Sequence, residues 1–205
     1  MTSSQGLIRD AILGAIHQNQ PAFRPMPEIP HFGLNDTEDL AELFRQGVAR
    51  MAGEVIVDTG SDLDCLIRNR FPAARVICSA VRECKGTITP AELDQWSEAS
   101  EIDVSIVRSP LGVAETGSVL LSDVELQVNT VAFLSHHLVV LLNPSHIVRN
   151  IHDAYKHSHF KTQPYSLLMT GPSGSGDIGG VTVHPAQGVK TLTVILTPEP
   201  VADEP

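Results

Sequence analysis

The chain has 205 residues, 42% of them hydrophobic and 19% charged, a globular composition that is long enough to bury a core without staples and unlike that of a disordered chain. Its 24 acidic against 14 basic side chains give a net charge of −10 with no basic run, which opposes nucleic-acid binding, where Lys and Arg displace phosphate counterions. Arg9 and Asp10 interrupt the first apolar stretch, and Leu138 to Leu142 is the longest unbroken apolar run. No signal peptide and no membrane span are therefore expected. Cys65, Cys78 and Cys84 form neither an even framework nor a CxxC pair. Reduced thiols and a cytoplasmic setting follow.

Leu7, Ile8, Ala11, Ile12, Ala15 and Ile16 recur at helical spacing, and Pro21, Pro25, Pro27 and Pro30 then impose an extended connector. A second helix is expected from Asn35 or Asp36, with Leu40, Leu43, Phe44 and Val48 as its apolar face. Residues 1–52 read as helices and connector packed on a core at 53–197, with 198–205 a disordered tail, one domain overall. Within the core, Val55–Val57, Arg75–Cys78 and Ile102–Val107 read as strands separated by helices. That β, α, β order predicts βαβ units and a parallel sheet. Strands are also expected at Val119–Leu121, Leu138–Leu142, Tyr165–Met169 and Thr191–Leu196, the last closing the sheet. Residues 124–134 read as helical, and a helix beginning at Asn143-Pro144-Ser145 carries Ile147, Val148, Ile151 and Tyr155.

The loop GPSGSGDIGG at 171–180 follows an apolar strand. Open α/β sheets bind ligands beyond the carboxyl ends of their strands, and glycines let successive N–H groups form an anion-binding nest. Gly171, Pro172, Ser173, Gly174, Ser175 and Asp177 are therefore candidate ligand contacts, against a plain strand-to-strand loop. No Lys follows and GxGxxG is absent, so neither the P-loop nor the dinucleotide fingerprint fits. In AETGS at 114–118, Thr116, Gly117 and Ser118 are further candidate contacts, and Glu115 reads as base, nucleophile or simple turn residue. His137, at a strand start, is a candidate for proton transfer, a solvated turn histidine being the alternative. The spacings of His152, His157 and His159 share no helix face, and no HExxH occurs, so no metal is expected. Three cysteines are too few for the usual four-Cys iron–sulfur cluster. Lys190 and Arg108 read as surface charges near the two loops.

Together, AETGS at 114–118, LSHHLVVL at 134–141, GPSGSGDI at 171–178 and QGVKTLTVIL at 187–196 resemble the LUD (lactate utilization) domain family, in order over about residues 55–197. The resemblance is to members that stand alone and lack iron–sulfur cysteines. It implies a Rossmann-like three-layer α/β/α fold with a mostly parallel sheet, similar to the ribose-phosphate isomerase and CoA-transferase superfamily. It also implies an accessory part in oxidizing L-lactate to pyruvate beside iron–sulfur subunits, with a small anionic metabolite bound and no cofactor of its own. The family pattern maps onto Glu115, Thr116 and Gly117, onto His137, and onto Gly171, Pro172, Ser173, Asp177 and Ile178. Ser135 stands where the family has proline, Gly179 where it has an acid, and Gln187 where it has histidine. Those departures keep two alternatives open: a non-catalytic binding or sensor domain, and an enzyme acting on a sugar phosphate or acyl thioester through Glu115. Assembly into a homo-oligomer is also open.

Overall fold

The computed structural model describes residues 3–28, 39–58, 60, 62–172, 176–178, 181–183 and 188–198. Residues 1–34 and 35–205 are two compact units. In the first, α1 (Ser3–Gln18) is followed by a stretch with no regular structure through Glu28, as the run of prolines requires.

The second unit opens with α2 (Leu40–Arg50). Its N-cap is Asp39, whose carboxylate accepts from the Ala41 N–H at 2.9 Å; Asn35 and Asp36, the expected caps, lie outside the described residues. β1 (Glu54–Val57) leads to α3 (Leu63–Arg70), which Asp62 caps, and then to β2 (Ile77–Ser79) and β3 (Val104–Ser109). β4 (Gly112–Val113) and β5 (Ser118–Ser122) form a hairpin, followed by α4 (Asp123–Leu126), β6 (His137–Leu142), β7 (Ile147–Val148), α5 (Ile151–Ala154) and α6 (His159–Thr162). β8 (Ser166–Thr170), the small hairpin β9 (Gly176–Ile178) and β10 (Val181–Val183), and β11 (Thr191–Leu196) complete the chain.

Five strands form a wholly parallel sheet in the order β1-β11-β6-β3-β2. Alternate residues of a strand face opposite sides, and β6 shows why the sheet is covered twice. Val139 and Leu141 join Ile106, Ile195 and the α3 residues Leu63 and Ile67 in one core. Leu138, Val140 and Leu142 join Leu192, Val194, Phe44 and Val48 of α2, and Val119 and Leu121 of β5 in the other. Phe44 and Val48 are fully buried, each contributing roughly 1.5–3 kcal/mol. A second sheet, β7-β4-β5-β8, is mostly antiparallel. Its outer face, with Val113 and Leu120, packs on Ala154 of α5 and Phe160 of α6.

The fold is thus mixed α/β with a mostly parallel central sheet and flanking helices. Several local expectations change. β11 lies inside the sheet between β1 and β6 and does not close it. β8 belongs to the second sheet, antiparallel to β5, so the loop after it does not follow a strand of the parallel sheet. Ile147 and Val148 form β7 beside Gly112 and Val113, not a helix; Ile147 is buried there, and β-branched residues suit that pairing. Residues 124–134 break into α4 and a single 3-10 turn, Asn129–Ala132. The break falls at Gln127, whose φ of 58° leaves the helical region. Among the described residues no helix is long and apolar enough to cross a membrane.

Candidate functional site

The two glycine-containing turns do meet. β5 pairs with β8 so that Ser118 faces Thr170, and a chain of hydroxyls runs from Thr116 Oγ1 to Ser118 Oγ (2.6 Å) and on to Thr170 Oγ1 (2.5 Å). Both turns close on the same helix. Gly117, at φ +69°, lies where a Cβ would stand 2.2 Å from the Val48 amide nitrogen. Gly171, at φ +67°, would place a Cβ 2.2 Å from the Met51 carbonyl oxygen. Only glycine fits a left-handed backbone at such close approach. These two glycines hold the second sheet against α2, and the hydroxyls between them already satisfy one another.

Pro172 is buried beside Gly171. A cavity of about 230 Å³ runs along β8, lined by Phe133, Leu167, Met169, Thr170, Gly171 and Val189 among others, with no ionisable side chain. Ser173, Gly174 and Ser175 lie outside the described residues, as do Gly179 and Gln187. Asp177 sits in β9 opposite Thr182. Glu115 is exposed; its Oε2 accepts from the Ile151 amide at 3.3 Å, at the start of α5, and its carbonyl accepts from Arg50 Nη2 at 3.1 Å.

His137 belongs to a different surface. As the first residue of β6 it points to the same side as Val139 and Leu141, away from β8. Its ring lies 4.9 Å from that of Phe71, and its Nδ1 is 2.8 Å from the Thr191 hydroxyl. A cleft of about 300 Å³ opens there, lined by Arg70, Phe71, Ala74, Asp103, His137 and Thr191 among others. The Asp103 carboxylate sits low because the Val76 and Arg75 amides donate to it, at 2.9 and 2.7 Å. Arg70 lies over Phe71 and pairs with Glu54 at 2.8 Å.

Burial pushes the His137 imidazole below its ordinary value, and the positive charges of Lys190, His136 and Arg70 add to that, Asp103 opposing. The ring is therefore held neutral near pH 7, one nitrogen fixed by Thr191 and the other without a hydrogen bond among the described residues. The positive field that repels a proton from the ring attracts an anion. Chemically, the cleft offers an anion an apolar floor, an oriented imidazole and the Glu54-paired guanidinium of Arg70, with Lys190 nearby and the Asp103 carboxylate opposing.

Phe71, Ala74 and Thr191 reach His137 only through parallel pairing and the turn after α3, separations for which local sequence carries no signal. Arg70, at the end of α3, is equally remote in sequence. Among the described residues no group of three or more His, Cys, Asp or Glu side chains could hold a metal ion.

A five-stranded parallel sheet with α3 on one face, and α2 and a second sheet on the other, defines a mixed α/β domain with ligand-sized clefts at its strand ends. The LUD domain model matches residues 38–197, and the chain belongs to that family. Among solved structures, a DUF162 family protein from Deinococcus radiodurans aligns with a TM-score of 0.60 at 12% identity, over 77% of this chain and 95% of that one; at that identity the likeness is one of fold. A search of curated proteins gave no match.

Proposed function

We propose that this LUD-domain protein binds a small organic anion in the His137 cleft and acts as an accessory component of L-lactate oxidation to pyruvate, beside iron–sulfur subunits in the cytoplasm. The observation that carries the binding step is the neutral, Thr191-oriented His137 under the positive field of Lys190, Arg70 and His136. The anion is assigned to this cleft, and not to the described part of the Gly-rich loops, because Gly117 and Gly171 are committed to packing on α2. The pathway rests on family membership and on the motif resemblance.

A second reading, a binding or sensor domain without turnover, is favoured by Gly179 and Gln187, which replace the family's acid and histidine. Glu115 as nucleophile finds less support, since its carboxylate is exposed and spent on the start of α5.

Thermal-shift measurements with L-lactate, pyruvate, sugar phosphates and CoA esters test the binding step. A ligand at about 100 times its Kd adds roughly 2.7 kcal/mol of stability. Stabilisation by a small carboxylate that His137→Gln and Lys190→Ala both diminish is expected. No response to any organic acid, or one indifferent to both substitutions, removes the reading. Affinity capture from the native host tests the pathway separately, and must return iron–sulfur or organic-acid oxidoreductase subunits.

A further inference from the structure

A second cleft, of about 320 Å³, lies beyond the carboxyl ends of β2 and β3, lined by Ala80, Arg108, Pro110, Val124 and Glu125. Strand carboxyl ends are where open α/β sheets place their ligands. This end is opposite to that of His137, which starts β6.

Two polar assemblies meet here. Arg108 is largely buried, 18% exposed, and reaches a single oxygen of Glu83, with Nε donating at 2.8 Å and Nη2 in ion-pair contact at 2.5 Å. Neither Nη1 nor Nη2, both buried, has a hydrogen-bond partner among the described residues. Glu125, 13% exposed, has Oε2 filled by the Ser122 amide (2.9 Å) and hydroxyl (2.5 Å), and Oε1 2.9 Å from His159 Nε2. Behind His159 lies the His157 ring at 4.7 Å, kept neutral by its own burial and then by the charge of His159. Asp123 Oδ1 and His159 Nδ1 are also buried without a partner. Buried polar atoms nearly always find partners, so orphans on three residues lining or flanking one cleft single it out.

The charges select the ligand. Glu83 offsets Arg108 and His159 faces Glu125, leaving Asp123 in excess among the described residues. A phosphate dianion would meet three carboxylates, and a lone cation would meet Arg108. A molecule carrying both signs suits it: a carboxylate for the guanidinium and an ammonium for Glu125. We infer that this cleft binds a small zwitterion, a free α-amino acid with a short side chain, independently of the His137 cleft.

Isothermal titration tests this with glycine, alanine and serine, set against glycolate, lactate and inorganic phosphate. The proteins are the unsubstituted chain, Val124→Trp, Arg108→Gln and His137→Gln. Val124 is an exposed rim residue, so tryptophan there obstructs the cleft while leaving every hydrogen bond just described in place. An amino acid should bind the unsubstituted chain and His137→Gln alike. Binding should weaken at least about tenfold in Val124→Trp and in Arg108→Gln, the scale of one charge-assisted hydrogen bond. If Arg108→Gln fails to fold, Val124→Trp decides alone. Absence of amino-acid binding, binding indifferent to Val124→Trp, or equal binding of the hydroxy acids or phosphate each overturns the inference. A lactate or pyruvate response lost in His137→Gln but kept in Val124→Trp belongs to the other cleft, so the two proposals fail separately.

Discussion

Gly117→Ala separates two roles that a Glu-Thr-Gly turn can play. In a ligand loop, the glycine would let a ligand approach the backbone, and alanine would weaken binding while leaving stability nearly untouched. Here the Gly117 Cβ would stand 2.2 Å from the Val48 amide nitrogen and 2.3 Å from the Gly47 carbonyl carbon. Those are backbone atoms of a helix and cannot swing aside. The left-handed φ of +69° costs alanine roughly 1–2 kcal/mol, and forcing α2 off the hairpin adds about 1–3 kcal/mol. The expected loss is about 3 kcal/mol, or roughly 6–12 °C in Tm for a chain of this size. Urea titration by circular dichroism, beside calorimetry, measures it. Gly60→Ala is the control, because its φ is +89° but a Cβ there meets nothing within 4 Å, so only the conformational cost of about 1–2 kcal/mol remains. A Gly117→Ala loss below about 1 kcal/mol, well under the clash and φ terms combined, together with a vanished ligand response, would refute the packing account.

Other expectations follow from the same contacts. The folded value of His137 lies below its unfolded one near 6.5, so its contribution to stability is complete above about pH 6.5 and is lost as pH falls through the lowered value; His137→Gln should flatten that part of the stability–pH curve. Lys190→Ala should raise the His137 value, read by NMR titration of the imidazole, because it removes the largest of the like charges acting on the ring. Burial pushes the Cys78 thiol up to about 11 and that of Cys84 to about 12, while Cys65 is exposed; a thiol reagent at pH 7.5 should label Cys65 alone in the folded protein. Glu115→Gln should leave Tm within about 1 kcal/mol equivalent, since among the described residues the carboxylate makes one long exposed contact; a larger drop in Tm would contradict that surface role.

The parallel sheet was legible because it is built from local signals. Leu138–Leu142 is an unbroken apolar run, as expected of a strand buried on both faces, and β6 is indeed central with its last five residues buried. The second sheet was not legible. Ser166–Thr170 has the same apolar character as a parallel strand, and nothing local shows that it pairs antiparallel with Ser118–Ser122, from Ser118 opposite Thr170 to Ser122 opposite Ser166. Ile147 and Val148 follow a proline turn that reads as a helix start, yet their pairing with Gly112 and Val113 prevailed. At the site, AETGS and the loop from Gly171 each read as candidate ligand contacts, and the hydroxyls of Ser118 and Thr170 beside their glycines meet. Their glycines looked like anion-nest residues because a nest and a close helix contact demand the same absent side chain. Arg108 read as a surface charge; its pairing with Glu83 depends on the loop after β2 folding back over β3. His157 and His159 share no helix face, yet their rings lie 4.7 Å apart, tilted by 34°, across the turn into α6.

The central claim, that a small organic anion sits against His137, is most directly tested by following the imidazole carbon resonances of the nine histidines during titration with L-lactate and pyruvate. The account predicts a saturable shift of His137, with a smaller one for His136, while His157 and His159 stay still. Resonances that do not move at saturating carboxylate, or that move only for histidines remote from Phe71 and Thr191, would contradict it.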